Sequence, residues 1–238
     1  MRGSKSHAKT QGLQSLIPVI GVVCGLINRN LLRSMGEFKI KNLNSKITLT
    51  VAPELIPLFH PLLGKGFEVS IEEGIGIQAF LCGQIGLDPE YLEKRIQTVF
   101  LNGKAVDDFD SAILRSGSVL ALSGALPGLA GATLRRGGIY GKMRGEISQS
   151  EKIEPAPRGE GRVTVKLFNL IVREVGPLFL EHGVLVDGEE FSRTLLLDPD
   201  RFSAACKKSA IDNAPIDPSK LIDFDWKNKR LSLQVSVE

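Results

Sequence analysis

A chain of 238 residues, 42% hydrophobic and 24% charged, has the make-up of a soluble globular protein with one large or two small domains. The net charge of +3 is unevenly placed. Residues 1–34 carry +5 and no acid, which leaves −2 for residues 35–238 and argues against a body that binds nucleic acid by bulk charge.

Three cysteines, Cys24, Cys82 and Cys206, lie far apart without a CxxC. That spacing supports neither a zinc site nor a disulfide framework, and it fits a reducing cytoplasm. Residues 16–27 form an apolar run broken by Pro18 and two glycines, after a basic start. They match the first two regions of a signal peptide, but Asn28-Arg29-Asn30 follows instead of a small-residue cleavage site. A bilayer span takes ~20 apolar residues, so no membrane association is expected. Residues 1–34 are set aside from the fold as an over-extended start or a vector-derived leader.

Phe38-Lys39-Ile40-Lys41 and Ile47-Thr48-Leu49-Thr50 alternate and predict a β-hairpin. Pro53, Pro57 and Pro61 break any long helix there, and His60 among them reads as a half-buried packing residue. Phe67, Val69 and Ile71 predict a strand. Ile77, Phe80, Leu81 and Ile85 fall on one helical face that Gly86 ends. Asp88-Pro89-Glu90 opens a second short helix with a cap, a proline at the first position and an acid near the positive end. Cys82, with no base beside it, reads as core rather than nucleophile. Val99-Phe100-Leu101, the turn Asn102-Gly103 and a return strand from Val106 make a hairpin. Ser116-Gly117 turns into another strand at Val119-Leu120-Ala121-Leu122.

Residues 111–145 contain no acid, five cations and a glycine-rich stretch, 124–145. Exposed backbone N–H groups with Arg135, Arg136, Lys142 and Arg144 suit an anion, with Tyr140 placed to stack on it. Neither a GxxxxGK[ST] nor a GxGxxG is present, and an extended arm packed over the domain accounts for the same composition.

Residues 148–161 are polar, hold Pro155, Pro157, Gly159 and Gly161, and read as a linker. Beyond them, residues 163–167 predict a strand, and an apolar stretch over 170–180 is interrupted by Gly176-Pro177. Val184-Leu185-Val186 leads into a hairpin signal at Asp187-Gly188. His182 reads as a loop residue, and Asp198-Pro199-Asp200 starts a helix. Ile222, Phe224 and Trp226, then Leu231, Leu233, Val235 and Val237, predict a terminal hairpin turning at 227–230.

Residues 67–126 resemble the ubiquitin-like β-grasp sulfur carriers, such as the small subunit of molybdopterin synthase and the thiamine-pathway carrier. The likeness lies in Val99-Phe100-Leu101-Asn102-Gly103-Lys104-Ala105-Val106, then Asp107-Asp108, then Ser116-Gly117-Ser118-Val119-Leu120-Ala121-Leu122. Leu134-Arg135-Arg136-Gly137-Gly138 further resembles the end of ubiquitin, one residue shorter. The resemblance implies a carrier-like diglycine at Gly137 and Gly138, whose chemistry needs a free carboxylate, although 100 residues follow.

The expectation is therefore an α+β chain. Residues 35–147 form a β-grasp-like domain with a basic tail, and residues 162–238 a second small α+β domain ending in a hairpin. No HExxH, GxSxG or nucleophile with a partner histidine is present, and no cofactor or metal is expected. A non-catalytic module that binds a partner protein, through the sheet and the glycine-rich arm, fits best. The alternative is an anionic small-molecule protein or enzyme using residues 124–145. A nucleic-acid partner is disfavoured, because the body is acidic and aromatic residues are few near the tail.

Overall fold

Alternating apolar residues set the longer strands, with one face in the core. Ile47, Leu49 and Val51, Phe67, Val69 and Ile71, Val163, Val165 and Leu167, and Leu231, Leu233 and Val235 are all buried. The computed structural model describes residues 44–109, 111–140 and 159–238, which lie within one compact unit, residues 42–238.

The strands are β1 (Asn44–Val51), β2 (Phe67–Glu72), β3 (Thr98–Leu101), β4 (Lys104–Ala105) and β5 (Val119–Ser123). They continue with β6 (Glu160–Leu167), β7 (Val184–Asp187), β8 (Cys206–Ile211), β9 (Ala214–Pro215) and β10 (Arg230–Val237). All ten join one sheet in the order β4-β3-β5-β6-β2-β7-β10-β1-β8-β9.

The helices are short. A 3₁₀ turn at Pro53–Phe59 runs into α1 (His60–Lys65), as three prolines require. A wide helical turn, Ala79–Gln84, buries Phe80 and Leu81. Then come α2 (Pro89–Lys94), α3 (Gly128–Leu134), α4 (Leu170–His182), α5 (Gly188–Leu195), α6 (Pro199–Ala205) and α7 (Pro218–Ile222). None of these helices is long and apolar enough to cross a membrane. The side chains of Asp88, Asp198 and Asp217 each accept a backbone N–H at a helix start whose first residue is proline.

The sheet divides into two halves of like design. In one, β5 and β6 run parallel at the centre, flanked by antiparallel β3 and β2. In the other, β10 and β1 run parallel, flanked by antiparallel β7 and β8. Each half ends in a two-residue edge strand after a turn with two positive φ values, Asn102-Gly103 (51° and 80°) and Asp212-Asn213 (50° and 68°). The first half is continuous, residues 67–167, whereas the second takes β1 from before it and β7 to β10 from after it.

At the seam, β2 and β7 share one paired position, Glu68↔Leu185, and Arg230 meets Glu68 at 2.6 Å. Helix α4 bridges the seam. Its Phe179 ring sits edge-on to Phe67 at 5.1 Å, while the helix packs on β10. Such ring pairs add about 0.5–1.5 kcal/mol each beyond area burial. On the opposite face, Thr48, Thr50, Phe100, Ala121, Lys166, Ser232, Gln234 and Ser236 are half-buried, and among the described residues that face stays open.

The α+β class holds, but a ten-stranded sheet is not a small β-grasp domain. Strands from either side of residues 148–161 alternate in it, because β6 inserts between β5 and β2. The sequence misleads at four further points. Both edges of β1 are filled, by β10 and β8, so its pairing is long-range; the 38–41 run lies outside the described residues. Gly176-Pro177 does not interrupt α4, whose buried Ile171, Val175, Phe179 and Leu180 outweigh the local cost of a proline, about 3 kcal/mol.

Asp187-Gly188 is not a hairpin turn. Asp187 caps α5 by accepting from the N–H groups of Glu189 and Glu190, and Gly188 lies against the Trp226 carbonyl, where a Cβ would come within 2.2 Å. The terminal hairpin is also absent. Residues 218–222 are helical, Trp226 is buried with its Nε1 donating to Leu221 O at 2.8 Å, and β10 pairs with β1 and β7.

Candidate functional site

The glycine-rich tail leaves β5 at one end of the first half-sheet. Residues 128–134 form helix α3, not an extended arm, and Arg135 follows as its C-cap. Arg136 is then held down. Its side chain is only 16% exposed, its Nη2 meets Glu93 Oε2 at 2.6 Å, and its guanidinium lies 4.3 Å over the Phe109 ring. Its backbone N–H donates to Gln97 O at 2.8 Å.

Gly137 has φ +61° and donates to Asp107 Oδ1 at 3.3 Å, while Gly138 donates to Arg135 O at 3.1 Å. Tyr140 and Ile139 are exposed. Lys142 and Arg144 lie outside the described residues, as does most of the 148–161 segment. Arg135, Arg136 and Gly137 therefore line one polar cleft of about 410 Å³ with Glu93, Lys94, Gln97 and Asp107. Two carboxylates share that wall, and the Arg136 and Lys94 cations are already paired, with Glu93 and Glu90. Arg135 makes no ion pair among the described residues.

A second hollow lies on the open face of the same half. It measures about 320 Å³ and is lined by Phe100, Ala121, Ser123, Leu126, Phe168 and Asn169. The register builds it: Phe100 of β3 pairs with Ala121 of β5, and Ala121 pairs with Lys166 of β6, so the three side chains share one face. Phe168 extends that face just beyond β6 and is 42% exposed. Leu129 and Leu170, also exposed, follow on the two connections that leave this end of the half-sheet. At the groove's polar corner, Asn169 Nδ2 donates to Ser123 Oγ at 3.1 Å.

Of these groove residues, the sequence singles out only Phe100 and Ala121, and those as parts of strands. Phe168 and Asn169 sit between two apolar runs, and no local pattern separates them from a core segment. The signal that would have found them is the place where the 163–167 alternation continues with Phe168 on the polar side.

The remaining reactive groups are ordinary. Burial pushes the Cys82 thiol up, with the Asp88 carboxylate adding to it, and burial pushes Cys206 up to about 11. Tyr91 donates to Glu174, and its pKa is raised by burial first and then by that carboxylate. Arg95 meets Glu174 on its other oxygen at 2.5 Å and, with Tyr91, holds that carboxyl below its usual range. This network ties α2 to α4. Among the described residues, no three His, Cys, Asp or Glu side chains come together as a metal site. No family model, curated protein or solved structure matches the chain.

Proposed function

We propose that the protein is a non-catalytic, ubiquitin-like binding module that docks a partner protein on the open face of its first half-sheet. One observation carries this reading: the apolar groove of Phe100, Ala121, Leu126 and Phe168 faces solvent, in a sheet whose other half presents threonine, serine and glutamine at the same level. A β-grasp sheet has two parallel central strands, each with an antiparallel neighbour, and a helix across one face. The arrangement β4-β3-β5-β6-β2 supports the resemblance, with β6 supplying a central strand from beyond the tail. Burial raises the pKa of both Cys82 and Cys206, which keeps the two thiols protonated and supports a non-catalytic role for them. The glycine-rich segment contributes Leu126 to the groove.

Binding of an anionic small molecule at the polar cleft is less well supported, because carboxylates share the cleft and Arg136 is engaged. A panel of phosphates and nucleotides is expected to leave the melting temperature unchanged.

The docking reading is tested by capture from a host extract on the full chain and on Phe168→Asp. Phe168 is exposed enough for this change to cost little stability, within about 0.5 kcal/mol. Proteins retained by the wild type and lost by the folded variant are the expected result. Identical capture by both chains contradicts the reading.

A further inference from the structure

We infer that residues 124–135 form a strap that sets the width of the groove, and that Arg136 is the positioning residue that holds the strap closed. The use of the groove for docking rests on the reading above, whereas the strap itself does not need it.

The two ends of the segment are the first ground. Gln97, the residue before β3, donates its N–H to Ser123 O at 3.1 Å, where the segment leaves β5. Its own carbonyl accepts from Arg136 N at 2.8 Å, just past the other end. One residue thus closes a loop of 12 residues, 124 to 135. Compact surface loops of about 6–16 residues with adjoining ends recur as functional devices.

Between those ends the segment holds mainly to itself. Thr133 Oγ1 donates to Leu129 O at 2.9 Å, inside the loop. Among the described residues, no hydrogen bond joins residues 124–134 to the sheet. No described apolar side chain of that stretch belongs to the buried core, and Leu129 is exposed. A segment with so little burial is held by its ends, and it opens without unfolding the sheet beneath it.

The path from Arg136 to the groove is the second ground. Phe100 and Ala121 are fixed by strand pairing, and Phe168 by its N–H donating to Leu122 O at 3.0 Å. Leu126 is the wall that the strap supplies. Helix α3 lies directly behind it, since a Cβ on Gly131 would come within 1.9 Å of the Leu126 carbonyl oxygen. A shift of α3 therefore moves Leu126. The end of α3 is fastened through Arg136, by its ion pair with Glu93 at 2.6 Å and its place 4.3 Å over the Phe109 ring. Arg136 and Glu93 also line the polar cleft, so this fastening sits at the surface and its release needs no opening of the core.

The test places 4-fluorophenylalanine at position 168 of the full-length chain. Its fluorine resonance reports the groove, and amide hydrogen exchange over 128–134 reports the strap. Both are measured, without any partner, in the wild type, Arg136→Ala, Arg136→Lys, Gly131→Ala and Gly188→Ala. Arg136→Ala is expected to move the resonance and to speed strap exchange roughly tenfold, the scale of one cation–π contact and one half-buried ion pair. Arg136→Lys keeps the charge and falls between it and the wild type. Gly131→Ala moves the resonance although Arg136 is intact. Gly188→Ala, in the other half-sheet, lowers the melting temperature and leaves the resonance where it was.

An unmoved resonance in folded Arg136→Ala overturns the inference, and so does an equal movement in Gly188→Ala, which would mark general loosening. If Arg136→Ala does not fold, Arg136→Lys and Gly131→Ala decide the matter, and unmoved resonances in both overturn it. Such a result removes the strap and leaves docking standing, while a failed capture experiment removes docking and leaves the strap.

Discussion

The guanidinium of Arg136 lies over Phe109 and against Glu93, and its backbone is bonded to Gln97, so it fastens the exit of the tail to α2 and β3. Arg135, its neighbour, is exposed. The two arginines look alike in the sequence and do different work. Arg136→Ala is expected to cost about 1–2 kcal/mol in urea denaturation, from a lost cation–π contact and a half-buried ion pair. Arg135→Ala is expected to cost nothing measurable, and equal effects from the two changes contradict the assignment.

His60 offers a pH test at the same scale. Burial, and secondly the Arg173 cation, lower its pKa from the ordinary 6.5. The unfolded chain then takes up that proton first as pH falls. The stability due to neutral His60 is complete above pH 6.5 and is lost as pH falls through the folded value. His60→Gln should flatten this part of the stability curve, and an unaltered slope argues against it.

Helix starts show which elements a sequence can declare. Asp88-Pro89-Glu90 and Asp198-Pro199-Asp200 are legible because a cap is a local event, a side chain bonding the backbone two or three residues on. Asp187-Gly188 uses the same vocabulary and reads as a hairpin. What decides it is the carbonyl of Trp226, 38 positions away, against which only a residue without a Cβ fits. Gly188→Ala is accordingly expected to destabilise by about 1–3 kcal/mol or more, seen as a lower melting temperature. A neutral outcome contradicts the close approach. The Asn102-Gly103 turn, in contrast, is fully local, and its positive φ pair was legible from the dipeptide.

For the molecule as a whole, strand alternation told which residues face the core but not which strands meet. The first half-sheet needs β6, which follows the tail, and the second needs β1, which precedes the first half. No pattern within a window of residues encodes either pairing. The groove suffers in the same way, since Phe100 comes from β3, Leu126 from the segment after β5 and Phe168 from the segment after β6. One consequence is open to test. A fragment of residues 67–183, which carries β2 to β6 and α4, is expected to melt cooperatively. Residues 67–126, which lack β6 and α4, are expected not to. Cooperative melting of the shorter fragment would show that the β-grasp-like stretch completes itself without β6.

The central claim is that a protein partner occupies the open face of the first half-sheet. The most direct measurement places a photoreactive phenylalanine analogue at position 168 of the full chain in its host, with a second chain labelled at position 197 on the other half as control. Leu197 is exposed as Phe168 is. The account predicts a protein adduct from position 168 and none from position 197. No adduct from position 168, or the same adduct from both positions, would contradict it.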